Sequence, residues 1–215
     1  MSRRSLDQGP DGRPAAKKSK PSTEWRSRDD SVYWRDYGST GSDKVLGLDL
    51  DDTLIAPKSG TTFPMDTKDW RLLYVRGPWL CVVRFKLVVF SNQNGVVRGN
   101  PQIKDLQNKV DAIQAALDVP MQVYLATKTD KYRKPLHRSR TGAWDLMESD
   151  HNDGIKINRQ ESKFLGDAAG RPASDGRKED HSDSDLQFAR GLGVEFLTPE
   201  KAFVKGESAS VLAAG

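Results

Sequence analysis

The sequence predicts an α/β domain, a mostly parallel sheet with helices on both faces, preceded by a basic tail. Three observations carry this reading. The apolar runs VLGLDL (45–50), KLVVFSN (86–92), MQVYLAT (121–127) and SKFLGD (162–167) have the length of buried strands and are rich in Val, Leu and Phe. Segments of helical periodicity separate them. The runs stop at polar residues: Asp49 and Asp51, then Ser91 and Asn92, then Thr127, then Asp167. Strands alternating with helices bury their apolar faces in a parallel sheet covered from both sides.

In chain order, the tail comes first. Residues 1–28 carry eight Arg or Lys against three acids, a net +5, whereas the whole chain of 215 residues is +4, so the remainder is about −1. Poor in aliphatics and rich in Ser, Pro, Gly, Arg and Lys, residues 1–40 are expected to be disordered, since they bury too little apolar surface to offset the ordering entropy. Their PAAKKSKP stretch fits a nuclear import signal, a phosphate-binding arm or a plain solvated tail. The folded domain is then expected over 41–205, with a flexible end at 206–215.

After the second apolar run, PQIKDLQNKVDAIQAALDV places Ile103, Leu106, Val110, Ile113 and Leu117 at helical spacing behind Pro101. A shorter helix follows in TGAWDLMESD, with Trp144 and Met147 on one side. DSDLQFARGLG and TPEKAFV supply two more, the last with Thr198 as N-cap and Pro199 at the first helical position. No internal repeat is visible. Cys81 is the single cysteine and His137, His151 and His181 the three histidines, so neither a disulfide nor a zinc-site spacing is expected. No apolar stretch reaches the ~20 residues of a membrane span, and a soluble, intracellular monomer is the expectation.

In open α/β sheets ligands sit beyond the carboxyl ends of the strands. Each polar strand end taken alone reads as a turn former; together they describe phosphate chemistry. Side chains at i and i+2 of a strand share a face, so Asp49 and Asp51 are expected side by side, their repulsion relieved by a divalent cation. Asp49 then attacks phosphorus and Asp51 serves as acid and base. Ser91 and Lys134 suit phosphoryl oxygens, and Asp167 completes an oxygen-ligand Mg²⁺ site with Asp49 and Asp51.

The string DLDDT matches the DxDx[TV] signature of the haloacid-dehalogenase superfamily, and Asp49/Asp51, Ser91, Lys134 and Asp167 follow the order of its four motifs. More narrowly, SGTTFPMDTKDWRLLY, KLVVFSNQNGVVRG, ATKTDKYRKP, TGAWD and FLGDAAGR make residues 44–204 resemble the phosphatase domain of the polynucleotide kinase 3′-phosphatase family. The resemblance implies a Rossmann-like core and removal of 3′-phosphate from DNA ends in strand-break repair, through an aspartyl-phosphate and with Mg²⁺. It also implies a nuclear location, with DNA 3′ ends and other strand-break repair proteins as partners. By motif position Asp49 is the nucleophile, Asp51 the acid/base, and Ser91, Asn92 and Lys134 face the phosphate. Asp167 is the magnesium ligand, Asp180 and Asp185 support it from behind, and Phe63, Arg98 and Arg133 face the nucleic acid.

Departures from the family pattern shape the rival readings. No GxxxxGK[ST] string occurs, so a 5′-kinase activity is not expected. Asp52 stands where the family often has Gly. The segment between Tyr74 and Lys86 is shorter than the usual crossover helix, which keeps a non-catalytic DNA-end adaptor among the alternatives. LHRSR, after Pro135, reads as an insertion on the substrate side. A small-molecule phosphatase of the histidinol-phosphate type shares several of these strings; one cysteine and GDAAGR argue against it.

Overall fold

The computed structural model describes residues 24–73, 84–99, 101–135, 140–174 and 177–203. A seven-stranded sheet is built from β1 (Arg26–Arg28), β2 (Val32–Asp36), β3 (Val45–Leu48), β6 (Lys86–Asn92), β7 (Gln122–Ala126), β8 (Lys163–Leu165) and β9 (Glu195–Leu197). Its order is β1-β2-β7-β6-β3-β8-β9. The five strands from β7 to β9 run parallel, whereas β2 lies antiparallel on β7 and β1 antiparallel on β2. Among the described residues, four α-helices connect and flank them: α1 (Ile103–Leu117), α2 (Gly142–Asp150), α3 (Ser184–Leu192) and α4 (Pro199–Phe203). A two-stranded hairpin, β4 (Ile55–Ala56) with β5 (Arg71–Leu72), projects between β3 and β6 in sequence.

Alternation along each strand divides the core in two. Leu46, Leu48, Leu87, Val89, Val123 and Leu125 meet Leu106, Val110 and Ile113 of α1 on one face. On the other, Val88, Phe90, Tyr124 and Phe164 meet Trp144 and Met147 of α2 and Phe188 of α3. Phe90 sits at the middle of an aromatic cluster, 5.4 Å from Tyr124, 5.6 Å from Trp144 and 5.7 Å from Phe188 between ring centroids. Burial on both sides is why these strands read as continuous apolar runs.

The fold corrects the expected domain boundary. Residues 24–40 belong to the domain, because SVYWRDY contains a strand that average tail composition conceals. Val32 is fully buried, Trp34 packs on the α2 face and Tyr33 and Tyr37 on the other. Pairing of β2 along the whole of β7, from Val32 with Ala126 to Asp36 with Gln122, also removes an exposed parallel edge. The basic stretch PAAKKSKP, the segment after Tyr74 that includes Cys81, His137 within LHRSR, and the expected flexible end at 206–215 lie outside the described residues. The strand expected over 45–50, β3, ends at Leu48 rather than Leu50, since the backbone N–H groups of Leu54 and Ile55 both donate to Leu50 O and fold the chain over. The last strand, β9, has only three residues behind the Gly193 cap of α3, too few to show a pattern.

The chain leaves β3 toward β6 and β7 on one side, while β8 and β9 lie on the other. The carboxyl end of β3 is therefore the point where the winding reverses, and the place where a ligand cleft is expected.

Gly47 lets the layers close there. A Cβ built on it meets Phe164 Cδ2 at 2.5 Å and Trp144 Cζ3 at 3.3 Å. Gly47→Ala is expected to cost ~1–3 kcal/mol by overpacking, read as a lower urea midpoint at unchanged slope.

Candidate active site

Asp49 follows β3 directly and its backbone N–H donates to Leu165 O at 2.9 Å, which fixes it beside the end of β8. Lys134, buried on the loop after β7, pairs with Asp49 Oδ1 and, at 2.7 Å, with Asp185 Oδ1; its ammonium also lies 5.6 Å from the Phe164 ring centroid. Asp185, in the first turn of α3, is 1% exposed. Its Oδ2 accepts from Ala168 N at 3.2 Å. Asp167 follows β8 and is held by Thr53: Thr53 Oγ1 donates to Asp167 Oδ1 at 3.3 Å and accepts from Asp167 N at 3.1 Å.

Three carboxylates thus gather around one ammonium that pairs with two of them, and burial together with this charge raises the proton affinity of Asp49 and of Asp167. Burial pushes the Asp49 carboxyl well above the ordinary range, with Asp185 and Asp167 adding to the shift and Lys134 opposing it. Asp167 is pushed up to about 6, first by burial and then by Asp185. Burial alone would lower the Lys134 amine, but Asp185 and Asp49 outweigh it and hold it above its usual value.

Oxygens of Asp49, Asp167 and Asp185 lie within 4.8 Å of one another. An all-carboxylate set carrying net negative charge beside a lysine fits a hard divalent cation such as Mg²⁺. This differs from the expected set of Asp49, Asp51 and Asp167. The Asp51 side chain turns to Gln93 and Lys109 and lies outside this carboxylate cluster. Asp185, expected behind the site, lies within the cluster.

Asp51 is gripped on both oxygens. Gln93 Nε2 donates to Oδ2 at 2.7 Å and reaches Ser91 Oγ at 2.8 Å, and Lys109 Nζ lies 3.2 Å from Oδ1. Asp52 adopts a left-handed backbone, φ 54°, which explains why Gly suits this position and why Asp, a tolerant residue there, replaces it. Asn92 ties β6 to the lysine loop: its Oδ1 accepts from Lys134 N at 2.9 Å and its Nδ2 donates to Lys134 O at 3.4 Å. Its amide therefore positions Lys134 rather than reaching for substrate with both ends free.

An open cleft of about 630 Å³ runs from Asp51, Gln93 and Lys109 to the β4–β5 hairpin, where Phe63, Met65 and Trp70 line it. Phe63 is 80% and Met65 76% exposed, as expected of side chains waiting for an apolar partner. Asp69 braces the hairpin loop, accepting from Ser59 N at 2.9 Å, Ser59 Oγ at 2.6 Å and Met65 N at 2.9 Å. The Ser59 hydroxyl above all holds its carboxyl down to about 2.

The remaining expected residues are placed less centrally. Arg133 is half-buried, its Nη1 without a hydrogen-bond partner among the described residues, and burial followed by Arg140 lowers its guanidinium. Arg98 closes the 3-10 turn Asn94–Arg98, and its side chain lies outside the described part. Asp180 is turned away from the carboxylate cluster to Arg171 and Arg177, bracing the GDAAGR loop. Sequence reasoning overlooked Thr53, Gln93, Lys109 and His181, whose Nδ1 sits 3.8 Å from Asp167 Oδ2. Thr53 was legible in DLDDT; a lysine on an amphipathic helix reads as a solvated face.

Comparison with known proteins identifies the fold and the family. Solved structures of a haloacid-dehalogenase-like phosphatase from Mesorhizobium loti (TM-score 0.57, 18% identity, 81% of this chain and 79% of that one) and of the D,D-heptose 1,7-bisphosphate phosphatase of B. bronchiseptica, complexed with magnesium and phosphate (0.52, 19%, 80% and 87%), share the fold. The protein therefore has a haloacid-dehalogenase-like phosphatase fold. Residues 44–203 match the polynucleotide kinase 3 phosphatase family, and the chain belongs to it. The bifunctional polynucleotide phosphatase/kinase of Schizosaccharomyces pombe is 39% identical over 180 residues, 81% of this chain and 41% of that protein. The polynucleotide 3′-phosphatase of Arabidopsis thaliana is 33% identical over 199 residues, 84% of this chain and 27% of that protein. The chain thus spans about two fifths and about a quarter of these two relatives.

Gly166 permits the central ion pair. A Cβ there would fall 2.2 Å from Asp185 Oδ2 and 2.6 Å from its Cβ, and buried Asp185 has no room to retreat. Gly166→Ala is expected to push Asp185 off Lys134 and raise the Mg²⁺ concentration giving half-maximal thermal stabilisation at least tenfold, on the order found for groups that orient metal ligands. An unchanged Mg²⁺ dependence would contradict this reading.

Proposed function

We propose that the chain is a polynucleotide 3′-phosphatase that removes the 3′-phosphate from DNA strand ends and leaves a 3′-hydroxyl, in nuclear strand-break repair. The observation that carries it is the pairing of two differently prepared aspartates at one strand end. Asp49 is buried against Lys134, whereas Asp51 is half-exposed at the mouth of a cleft large enough for a nucleotide. Membership of the polynucleotide kinase 3 phosphatase family and the names of the relatives support the substrate.

The chemistry follows from that difference. An Asp49 carboxylate oxygen attacks phosphorus, the bond from phosphorus to the sugar 3′-oxygen breaks, and Asp51 delivers its proton to the departing oxygen. Water then attacks the aspartyl-phosphate while Asp51 takes its proton, releasing inorganic phosphate and restoring Asp49. Lys134 and the Ser91 hydroxyl face the phosphoryl oxygens. Mg²⁺, held by Asp49, Asp167 and Asp185, would neutralise charge on the phosphoryl group. Phe63 supplies a surface on which a terminal base stacks, and Arg133 a partner for a backbone phosphate. Alkyl phosphates need the proton more than aryl phosphates do, because an alkoxide is the poorer leaving group. A gripped acid therefore suits a sugar phosphate.

Turnover of a 3′-phosphorylated oligonucleotide, histidinol phosphate and p-nitrophenyl phosphate with Mg²⁺ tests the proposal. The oligonucleotide is expected to win by kcat/KM, and Asp49→Asn to lose at least ~10³-fold on every substrate, as expected for a lost nucleophile. Preference for histidinol phosphate would overturn the substrate, and absence of any hydrolysis would favour a non-catalytic DNA-end adaptor.

A further inference from the structure

Lys109 lies outside every motif that carries the family resemblance. It projects from α1 between core residues Leu106 and Val110, its side chain only 7% exposed, and its ammonium ends 3.2 Å from Asp51 Oδ1. Asp51 is the single acid with which it forms an ion pair among the described residues. The Asp51 side chain is 46% exposed, and ion pairs to such exposed carboxylates contribute little to stability, about 0–1 kcal/mol. Ordering a lysine stem along the core edge carries an entropic cost that this small gain does not explain. The explanation lies in what the pair orients.

Resting on the phosphatase reading above, we infer that Lys109 is a positioning residue for the proton donor. Gln93 holds Oδ2 from the β6 side and Lys109 holds Oδ1 from α1. Contacts from the residue that follows β6 and from α1 therefore restrain the plane of a half-exposed carboxyl. As the proton passes from Asp51 to the departing 3′-oxygen, negative charge is left on the carboxylate, next to the ammonium. The pair strengthens as that step proceeds, so its benefit falls on the transition state rather than on substrate binding. Lys109 also lines the cleft, and a direct contact with a strand phosphate is the competing use of the same side chain.

Leaving-group dependence separates these roles from plain packing. Lys109→Met is expected to lower kcat on a 3′-phosphorylated oligonucleotide ~10²-fold, the lower range of general-acid effects, with KM moving less than about threefold on that argument. On p-nitrophenyl phosphate, whose leaving group departs without a proton, the loss should be at least tenfold smaller. Lys109→Arg should recover most of the oligonucleotide rate. In an Asp51→Asn background, Lys109→Met should add no further loss, since the residue it orients no longer donates a proton.

Equal losses on both substrates, additive effects in the double variant, or a risen and salt-sensitive KM at unchanged kcat would overturn the inference, the last in favour of a phosphate contact. If Lys109→Met does not fold, the Arg and Gln variants carry the same comparison. Wild-type protein that cleaves glycerol 2-phosphate but ignores the oligonucleotide would sink the nucleic-acid substrate alone. The contrast is then read between glycerol 2-phosphate and the aryl phosphate.

Discussion

A single buried ammonium organises this protein. Lys134 has carboxylates on two sides and an aromatic ring nearby, and each of its partners arrives from a different element: Asp49 from the end of β3, Asp185 from the start of α3, Phe164 from β8. Removing one partner of a buried ion pair costs ~3–5 kcal/mol, so the loop, helix and strand ends are held together by these charges. The arrangement still leaves negative charge in excess, because Asp167 joins the same cluster. The same cluster thus both ties the elements together and offers oxygens that could hold a cation.

Around this centre the fold arranges its close contacts. Gly47 and Gly166 occupy points where a side chain would strike Phe164 or Asp185, and both lie close before an aspartate of the charge cluster, Asp49 and Asp167. Asn92 clasps the Lys134 backbone from the end of β6, and Thr53 clasps Asp167 from the turn after β3. The hairpin that overhangs the cleft is braced separately by Asp69, so the hairpin and the charge cluster rest on different supports. Such a division allows the hairpin to vary in Met65 or Thr62 without disturbing the charge cluster.

Much of this was legible in the sequence, for identifiable reasons. The β6 run KLVVFSN is apolar on both faces, so its bounds were plain, and its Ser91 and Asn92 ends pointed at the site. The helix over Ile103–Leu117 followed from its spacing. Asp49, Lys134 and Asp167 were placed by strand ends and motif order, and they do converge. What escaped depends on tertiary packing. The N-terminal strands sit in a stretch whose average composition is that of a tail, although Val32 and Trp34 find a core only once β7 is present. Asp185 was named from motif position as a support for the metal ligand, but no local pattern announces its burial at a polar helix start, and Lys109 is hidden as an ordinary polar position of an amphipathic helix.

The most direct test of the account is calorimetric titration of Mg²⁺ into the wild-type protein and the Asp185→Asn and Asp51→Asn variants, without substrate. If the excess charge of Asp49, Asp167 and Asp185 creates the cation site, one binding event is lost in Asp185→Asn and kept within a few-fold in Asp51→Asn, the carboxamide being a far weaker ligand for a hard cation. Binding abolished by Asp51→Asn and untouched by Asp185→Asn would contradict it.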